Sequence, residues 1–372
     1  MSGRSINQLF ITYRSSFTTY RSSLITNHFL LPTTNYILLT PYKMNFLKLL
    51  LYLLFPLFIV SCNDGAADSP YPVISFIQKT SIPGTGRASA VAFAVNGKGY
   101  VTLGRNAVYT DSLKDCWQYD PTLDTWTKKA AFPGIARVKA MAAVVNDKAY
   151  VGLGFNRYEG AYSGGTLQDF WMYDPLTDSW SKKANFPSTA TDACVSFVLN
   201  SCIYVGAGFN GSSYTNEFWK YNTEQDQWSR LKDFPGLARM GAALCADDKH
   251  VYFGTGYRVG NYNDWWEYFP ATDSWEQRKK LPNAGRENAV SFSLNNRFFI
   301  STGRHFGGDL TGGHLFSDIL EYDAVRNVWY NRGDIPGGAR ENAIVFVIDG
   351  KGYIGQGEND TAILNDFWSF EP

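Results

Sequence analysis

The 372-residue sequence is poor in the side chains that usually carry catalysis or bind metals. It holds 4 His and 5 Cys, with no Cys-x-x-Cys, no His-x-x-x-His and no phosphate-cradling glycine motif. Gly254-Thr255-Gly256 reads as strand-end glycine, and no metal or cofactor is expected. Neither sign of charge is in excess: 34 Lys plus Arg balance 34 Asp plus Glu. No net field therefore favours nucleic acid or an anionic membrane, and nucleic acid is not an expected partner. At 18% charged and 45% apolar residues the chain is not disordered. A permanent membrane span is also missing, because the apolar run Leu49 to Val60 has 12 residues and contains Pro56. Finally, no Trp precedes residue 117, although all 11 lie between 117 and 368. The front of the chain is a different kind of sequence from the rest.

Residues 1–43 are rich in Ser, Thr and Tyr and carry no apolar periodicity, so they do not read as a domain. From Met44 the order is a short polar start with Lys48, the apolar run, then Ser61 and Cys62, which is the layout of a secretory signal over 44–61. Ile59-Val60-Ser61-Cys62 resembles the lipobox of bacterial lipoproteins. That resemblance implies translation from Met44, a mature chain beginning at an acylated Cys62, and anchoring to the cell envelope through an N-terminal lipid alone. Residues 62–71 are small and polar and are expected to form a tether.

The remainder, 72–372, is one unit repeated six times. Asp115-Cys116-Trp117-Gln118-Tyr119-Asp120-Pro121 has counterparts beginning at Asp169, Glu217, Asp264, Asp318 and Asp366. Nine residues after Trp117, Trp171, Trp219, Trp266 and Leu320 comes a second Trp, at 126, 180, 228, 275 and 329. A Pro follows seven later, then Arg137, Thr191, Arg239, Arg286 or Arg340, then a Gly 17 beyond. Phe76 fits the second-Trp position of the same frame, followed by Pro83, Arg87 and Gly104, while the C-terminus stops where that second Trp is due. The N-terminal strand is therefore expected to complete the last unit. Each unit reads as four antiparallel strands, the first two joined by a two-residue turn starting at Asn96, Asn146, Asn200, Asp248, Asn295 or Asp349.

Units of 47 to 54 residues with this pattern resemble the kelch-repeat family over 71–372. The resemblance implies an all-β, six-bladed propeller with four antiparallel strands per blade, closed by its own chain ends. The adjacent glycine pair of that family appears here as Gly-x-Gly or a single Gly, as in Gly152/Gly154 and Gly303.

Only the loop between second and third strands varies in length, with 14 residues in units two and five and 7 to 10 elsewhere. That loop shares a face with the connections bearing the repeated Arg, so this face is the expected binding surface. Candidate binding residues are Arg105, Phe155, Arg157, Asp192, Tyr257, Arg286, Asn288, Arg304, Arg340 and Asn342. In eukaryotic kelch adaptors these positions line the ligand pocket, and aromatics with Arg, Asn and carboxylates suit a glycan or an acidic peptide. The repeated Arg also has a structural reading, pairing with a neighbouring blade; the Asp or Glu before each third strand has a blade-to-blade or loop-fixing one.

Cys116 and Cys245 align with aromatic core positions. Cys194 and Cys202 flank the Asn200-Ser201 turn, whose register pairs Cys202 with Leu199, against a disulfide. The family includes galactose oxidase, whose copper site needs more His than His250, His305 and His314 supply, and an N-acetylneuraminate epimerase. Glu287, Glu341 and His305 are the candidate acid–base residues if this chain mutarotates a sugar. The sequence leads to a monomeric glycan- or protein-binding module, with a sugar mutarotase or epimerase as the alternative.

Overall fold

The computed structural model describes residues 65–106, 112–158, 165–189, 191–307 and 313–372. The expectations for residues 1–43, for the signal over 44–61 and for acylation at Cys62 lie outside the described residues. Among the described residues there is no helix; six four-stranded antiparallel sheets form a six-bladed propeller. Blade one is Val91–Val95, Lys98–Thr102, Cys116–Asp120 and Thr125–Lys129. Blade two begins at Met141–Val145, blade three at Val195–Leu199, blade four at Ala243–Ala246 and blade five at Val290–Leu294. Blade six takes Ile344–Ile348, Lys351–Gly355 and Phe367–Glu371 from the C-terminus and Ser75–Gln78 from the N-terminus. Phe76 pairs with Phe370 in the register that Trp126 has with Tyr119. The aromatic frame thus predicts the closure residue by residue.

The core lies between blades. Third-strand Tyr and second Trp form one aromatic face that packs on the preceding blade: Tyr173 and Trp180 of blade two sit against Phe93 and Tyr100 of blade one. Five of the six interfaces also carry a polar latch, the exception being blade six on blade five, where Ile74, Phe76 and Phe370 hold the positions. In blade two, Asp178 accepts bonds from the Tyr173 hydroxyl (2.6 Å) and from the Ala130 N–H of blade one (2.9 Å), and Trp180 Nε1 donates to the Ala130 carbonyl (2.9 Å). Asp226 with Trp228 and Asn327 with Trp329 repeat it, and Asp124 with Trp126 close the ring onto Thr80 behind the N-terminal strand. In blade four Asp273 keeps its bonds to the Lys232 N–H and the Tyr268 hydroxyl, but the buried Nε1 of Trp275 has no acceptor. The Trp excess is packing between blades.

The repeated Arg works differently from the neighbouring-blade pairing expected. Its carboxylate partner belongs to its own blade. Arg137 donates to both oxygens of Asp169 (2.7 and 2.8 Å) and to the carbonyls of Ile135 and Leu153. Asp169 in turn accepts from Trp171 Nε1 (2.7 Å). Arg87–Asp115, Arg239–Asp264, Arg286–Asp318 and Arg340–Asp366 repeat the clasp, tying the loop into each blade to the loop before its third strand.

Two further expectations change. Blade four has no two-residue turn at Asp248; a four-residue loop, Asp247 to His250, joins its first strands, and the Asp247 carboxylate satisfies the Lys249 and His250 N–H groups. The free tether expected over 62–71 is, from Ala66, a belt. Ala66 packs on the core between blades four and five, Ala67 N–H donates to the Trp329 carbonyl (2.8 Å), and Tyr71 lies over the Arg297 and Arg332 guanidinium groups. Arg332, itself buried, binds the Pro72 carbonyl through two nitrogens. Blade five holds Leu320 where other blades hold the first Trp, and Ala66 packs on the cluster that contains Leu320.

Candidate functional site

The two sets of positions singled out in the sequence meet on one face. In every blade the residue after the repeated Arg or Thr bridges the residue after the second-strand glycine: Ala88 to Arg105, Val138 to Phe155, Asp192 to Phe209, Met240 to Tyr257, Glu287 to Arg304, Glu341 to Glu358. One residue further on, Ser89, Lys139, Ala193, Gly241, Asn288 and Asn342 all adopt left-handed backbone, with φ between 48° and 61°. Each donates its N–H to the carbonyl of its counterpart in the preceding blade at 2.9 to 3.1 Å, and the six bonds close a ring around the axis. The ring satisfies every peptide it ties down, which holds even Lys139 and Ala193 in a conformation that side chains disfavour. It surrounds a narrow throat of about 130 Å³.

Above this ring the charged groups sort into paired and unpaired. Glu341 is paired: it accepts Arg304 Nε (2.5 Å) and Asn288 Nδ2 (2.8 Å). Arg304 also reaches Asp360 (2.8 Å). Glu358 accepts Arg105 from blade one and Asn342 Nδ2 (2.8 Å). His305 is half-buried, its Nδ1 2.7 Å from the Gly285 carbonyl, and it pairs with His314 in a short hairpin. Glu287 and Asp192 form no ion pair among the described residues, although only 3% and 7% of their surfaces are exposed. Burial pushes Glu287 up to about 7, with the Glu341 charge adding to it and Lys139, Asn261 and Arg304 opposing. Burial likewise lifts Asp192 to about 6 against the pull of Lys139. Both carboxyl groups therefore titrate near neutrality and both sense the one lysine of the ring.

An aromatic arc runs beside them across blades three to five. Phe209 contacts Tyr214 (ring centroids 5.2 Å), Tyr214 contacts Tyr257 (6.3 Å), and Tyr257 contacts Phe306 (6.1 Å), which is 38% exposed. Burial, with Tyr257 and Glu287 nearby, raises the Tyr214 hydroxyl above its ordinary value. Phe155 is half-buried on blade two, and Arg157 is exposed at the start of that blade's long loop. Residues 159–164 and 308–312 of the two long loops lie outside the described residues.

The structure therefore brings Asp192, Tyr257, Asn288, Arg304, Asn342, Glu287, Glu341 and His305 to one face. Arg286 and Arg340 do not reach it: both are fully buried and spent on Asp318 and Asp366, so they set the loops rather than meet a ligand. Sequence reading missed Lys139, Tyr214, Phe306 and Asp360. Lys139 had a signal, as the one cation in a column otherwise of Ser, Ala, Gly and Asn.

A larger concavity of about 820 Å³ opens on the opposite, hairpin-turn face between blades four and five. Most of its charges are paired, by Arg278–Glu267, Arg297–Glu321, Arg332–Glu321 and Arg326–Asp323, while Asp248 and Lys249 are exposed at its rim. His250 lies there, bonded to Asp247. Cys116, Cys194, Cys202 and Cys245 are free thiols, and Cys202 pairs with Leu199. Among the described residues no group of three His, Cys, Asp or Glu is placed to hold a metal.

Comparison with known proteins gives the same architecture. The kelch motif model matches residues 192–235, which span blade three. No curated protein matches in sequence. The solved structure of YjhT is similar in fold, with a TM-score of 0.66 at 19% identity over 79% of this chain and 99% of that one. The chain is a six-bladed β-propeller that carries a kelch motif in blade three.

Proposed function

We propose that this propeller is an envelope-anchored binding module whose loop face takes a carbohydrate. The observation that carries the reading is the aromatic arc beside two buried, unpaired carboxyl groups. Sugar rings present apolar C–H faces that stack on half-exposed Tyr and Phe, and hydroxyl donors that satisfy carboxylates. Among the described residues Glu287 and Asp192 have no ion-pair partner, with Asn261 beside Glu287, whereas Glu341 and Glu358 each hold an Arg and an Asn. The ligand is expected to contact Tyr257, Phe306, Glu287 and Asp192, with Arg105, Arg304, Asn288 and Asn342 holding the frame around it. Export and anchoring through Cys62 are part of the same proposal, resting on the lipobox-like segment.

Titration calorimetry against hits from a glycan array tests it. Binding lost in Tyr257→Ala and Glu287→Gln but kept in Arg326→Ala, on the opposite face, supports the reading. An array with no hits, or binding indifferent to Tyr257, leaves a protein ligand as the better account. One observation favours a second reading, sugar mutarotation: a carboxyl poised near 7 and another near 6 can exchange protons at neutral pH, as ring opening requires. Anomer exchange followed by NMR, accelerated by the wild type and abolished in Glu287→Gln, would replace binding by catalysis at the same site.

A further inference from the structure

We infer that the hairpin-turn face is the surface this protein turns toward the membrane, leaving the loop face at the far end of the molecule. The inference rests on the proposed acylation of Cys62 and adds to it the course of residues 66–74. Ala66 and Ala67 enter beside Trp329, at the start of the outer strand of blade five, which lies on the hairpin-turn side. Tyr71 then lines the cleft on that same face together with the turn residues Asp248 and Asn296. Ile74 N–H bonds the Arg332 carbonyl (3.0 Å), and Ser75 starts its strand opposite Glu371, again at the hairpin-turn end of blade six. The chain thus leaves the propeller on one face and is fastened there.

Covalent geometry sets how much freedom remains. Only three residues separate Cys62 from Ala66, so the four Cα–Cα steps reach at most about 14 Å even when fully extended. The four Cα–Cα steps of a five-residue blade strand already span about 14 Å, and the loops at its end add to that. The leash is therefore shorter than the path from its attachment point to the loop face, so an acyl chain on Cys62 cannot lie in a bilayer while the loop face touches that bilayer. Exposed aliphatic side chains at three of the turns on the hairpin face, Leu123, Leu176 and Val325, are 69%, 83% and 95% accessible and suit an interfacial setting.

Site-directed labelling on the full chain in vesicles tests the inference. Single fluorophores at Leu176→Cys and Val325→Cys on the hairpin-turn face, and at Tyr158→Cys and Val259→Cys on the loop face, are exposed to headgroup-quenching lipids. Several-fold stronger quenching at the first pair is expected. In Tyr71→Ala, which loosens the belt without touching the propeller core, the contrast should shrink. A membrane-bound chain quenched evenly, or more at Tyr158 and Val259, overturns the face assignment and leaves the anchoring intact. A wild-type chain that stays in solution overturns the anchoring and the face assignment together.

Discussion

Removing the guanidinium of one Arg clasp tests how the blades are held. In Arg137→Thr, Asp169 loses two charge-assisted bonds, the Ile135 and Leu153 carbonyls lose a donor, and a partly buried carboxylate is left without its cation. Breaking one side of such a pair costs about 3–5 kcal/mol, mostly from the charge left behind. Asp169 keeps 20% of its side-chain surface and the Trp171 bond, so a loss near the lower end, about 3 kcal/mol, is expected. Urea unfolding followed by Trp fluorescence reads it as a lower midpoint at unchanged slope. The double variant Arg137→Met with Asp169→Asn should recover most of the loss, because Asn still accepts from Trp171 and no charge remains. Burial alone would raise the Asp169 carboxyl, but Arg137 and Trp171 hold it below its ordinary value. The unfolded chain therefore binds that proton more tightly than the native one. The clasp's contribution is full above the ordinary carboxylate pKa of about 4 and fades as pH falls through the depressed native value. A loss under about 1 kcal/mol, or one that does not shrink toward pH 2, would refute this reasoning. Blade three already shows how the clasp can be given up: Thr191 replaces the Arg, and Glu217 turns instead to Ser188 (2.7 Å) and Trp219 (3.1 Å).

The remaining predictions concern the latches, the closure and the throat. Trp180→Phe leaves the Ala130 carbonyl without its donor and should cost about 1–2 kcal/mol more than Trp275→Phe, whose Nε1 has no partner to lose; paired denaturation curves decide it. Phe76→Ala should lower stability by about 2–4 kcal/mol in the same measurement, because it empties the aromatic contact (5.2 Å to Phe370) by which the chain ends meet. Glu287→Gln should stabilise the protein above pH 7 by on the order of 3 kcal/mol and flatten its pH dependence. The wild-type carboxyl is protonated more readily in the native state, so its stability falls as pH rises from about 4.5 to 7 and is flat beyond. Gly241→Ala places a Cβ 2.8 Å from Asn288 Oδ1 and should cost about 1–2 kcal/mol, with Asn288 displaced from Glu341 in a crystal structure of the variant.

Spacing made the propeller legible because each blade repeats the same contacts: a ruler of Trp, Pro, Arg and Gly cannot hold its frame six times unless the same geometry recurs. It also located the loop face and most of the residues gathered there. What spacing could not convey is which charges cancel. Arg286 and Arg304 look alike in sequence, yet one is spent on its own blade and the other braces Glu341 at the loop face. The belt over 66–74 was hidden for another reason. Its contacts are backbone bonds and one Tyr stacked on two Arg, with no periodic side-chain pattern to betray them. The four-residue loop of blade four was misplaced because Asp248 occupies the expected column while Asp247 makes the turn. Tyr214 and Phe306 sit on loops of unequal length, where alignment of units gives no register.

The ring of six peptide bonds at the throat has an electrostatic consequence. Its N–H groups all point the same way around the axis, so their dipoles run head to tail in a circle and their moments sum to almost nothing along the channel. A helix end concentrates partial charge on whatever faces it; a closed circuit of peptides offers a visitor no pole at all. Discrimination at the mouth of this channel is thereby left to side chains. The nearby charges are those of Lys139 and of Asp192 and Glu287, whose carboxyl groups burial lifts to about 6 and about 7.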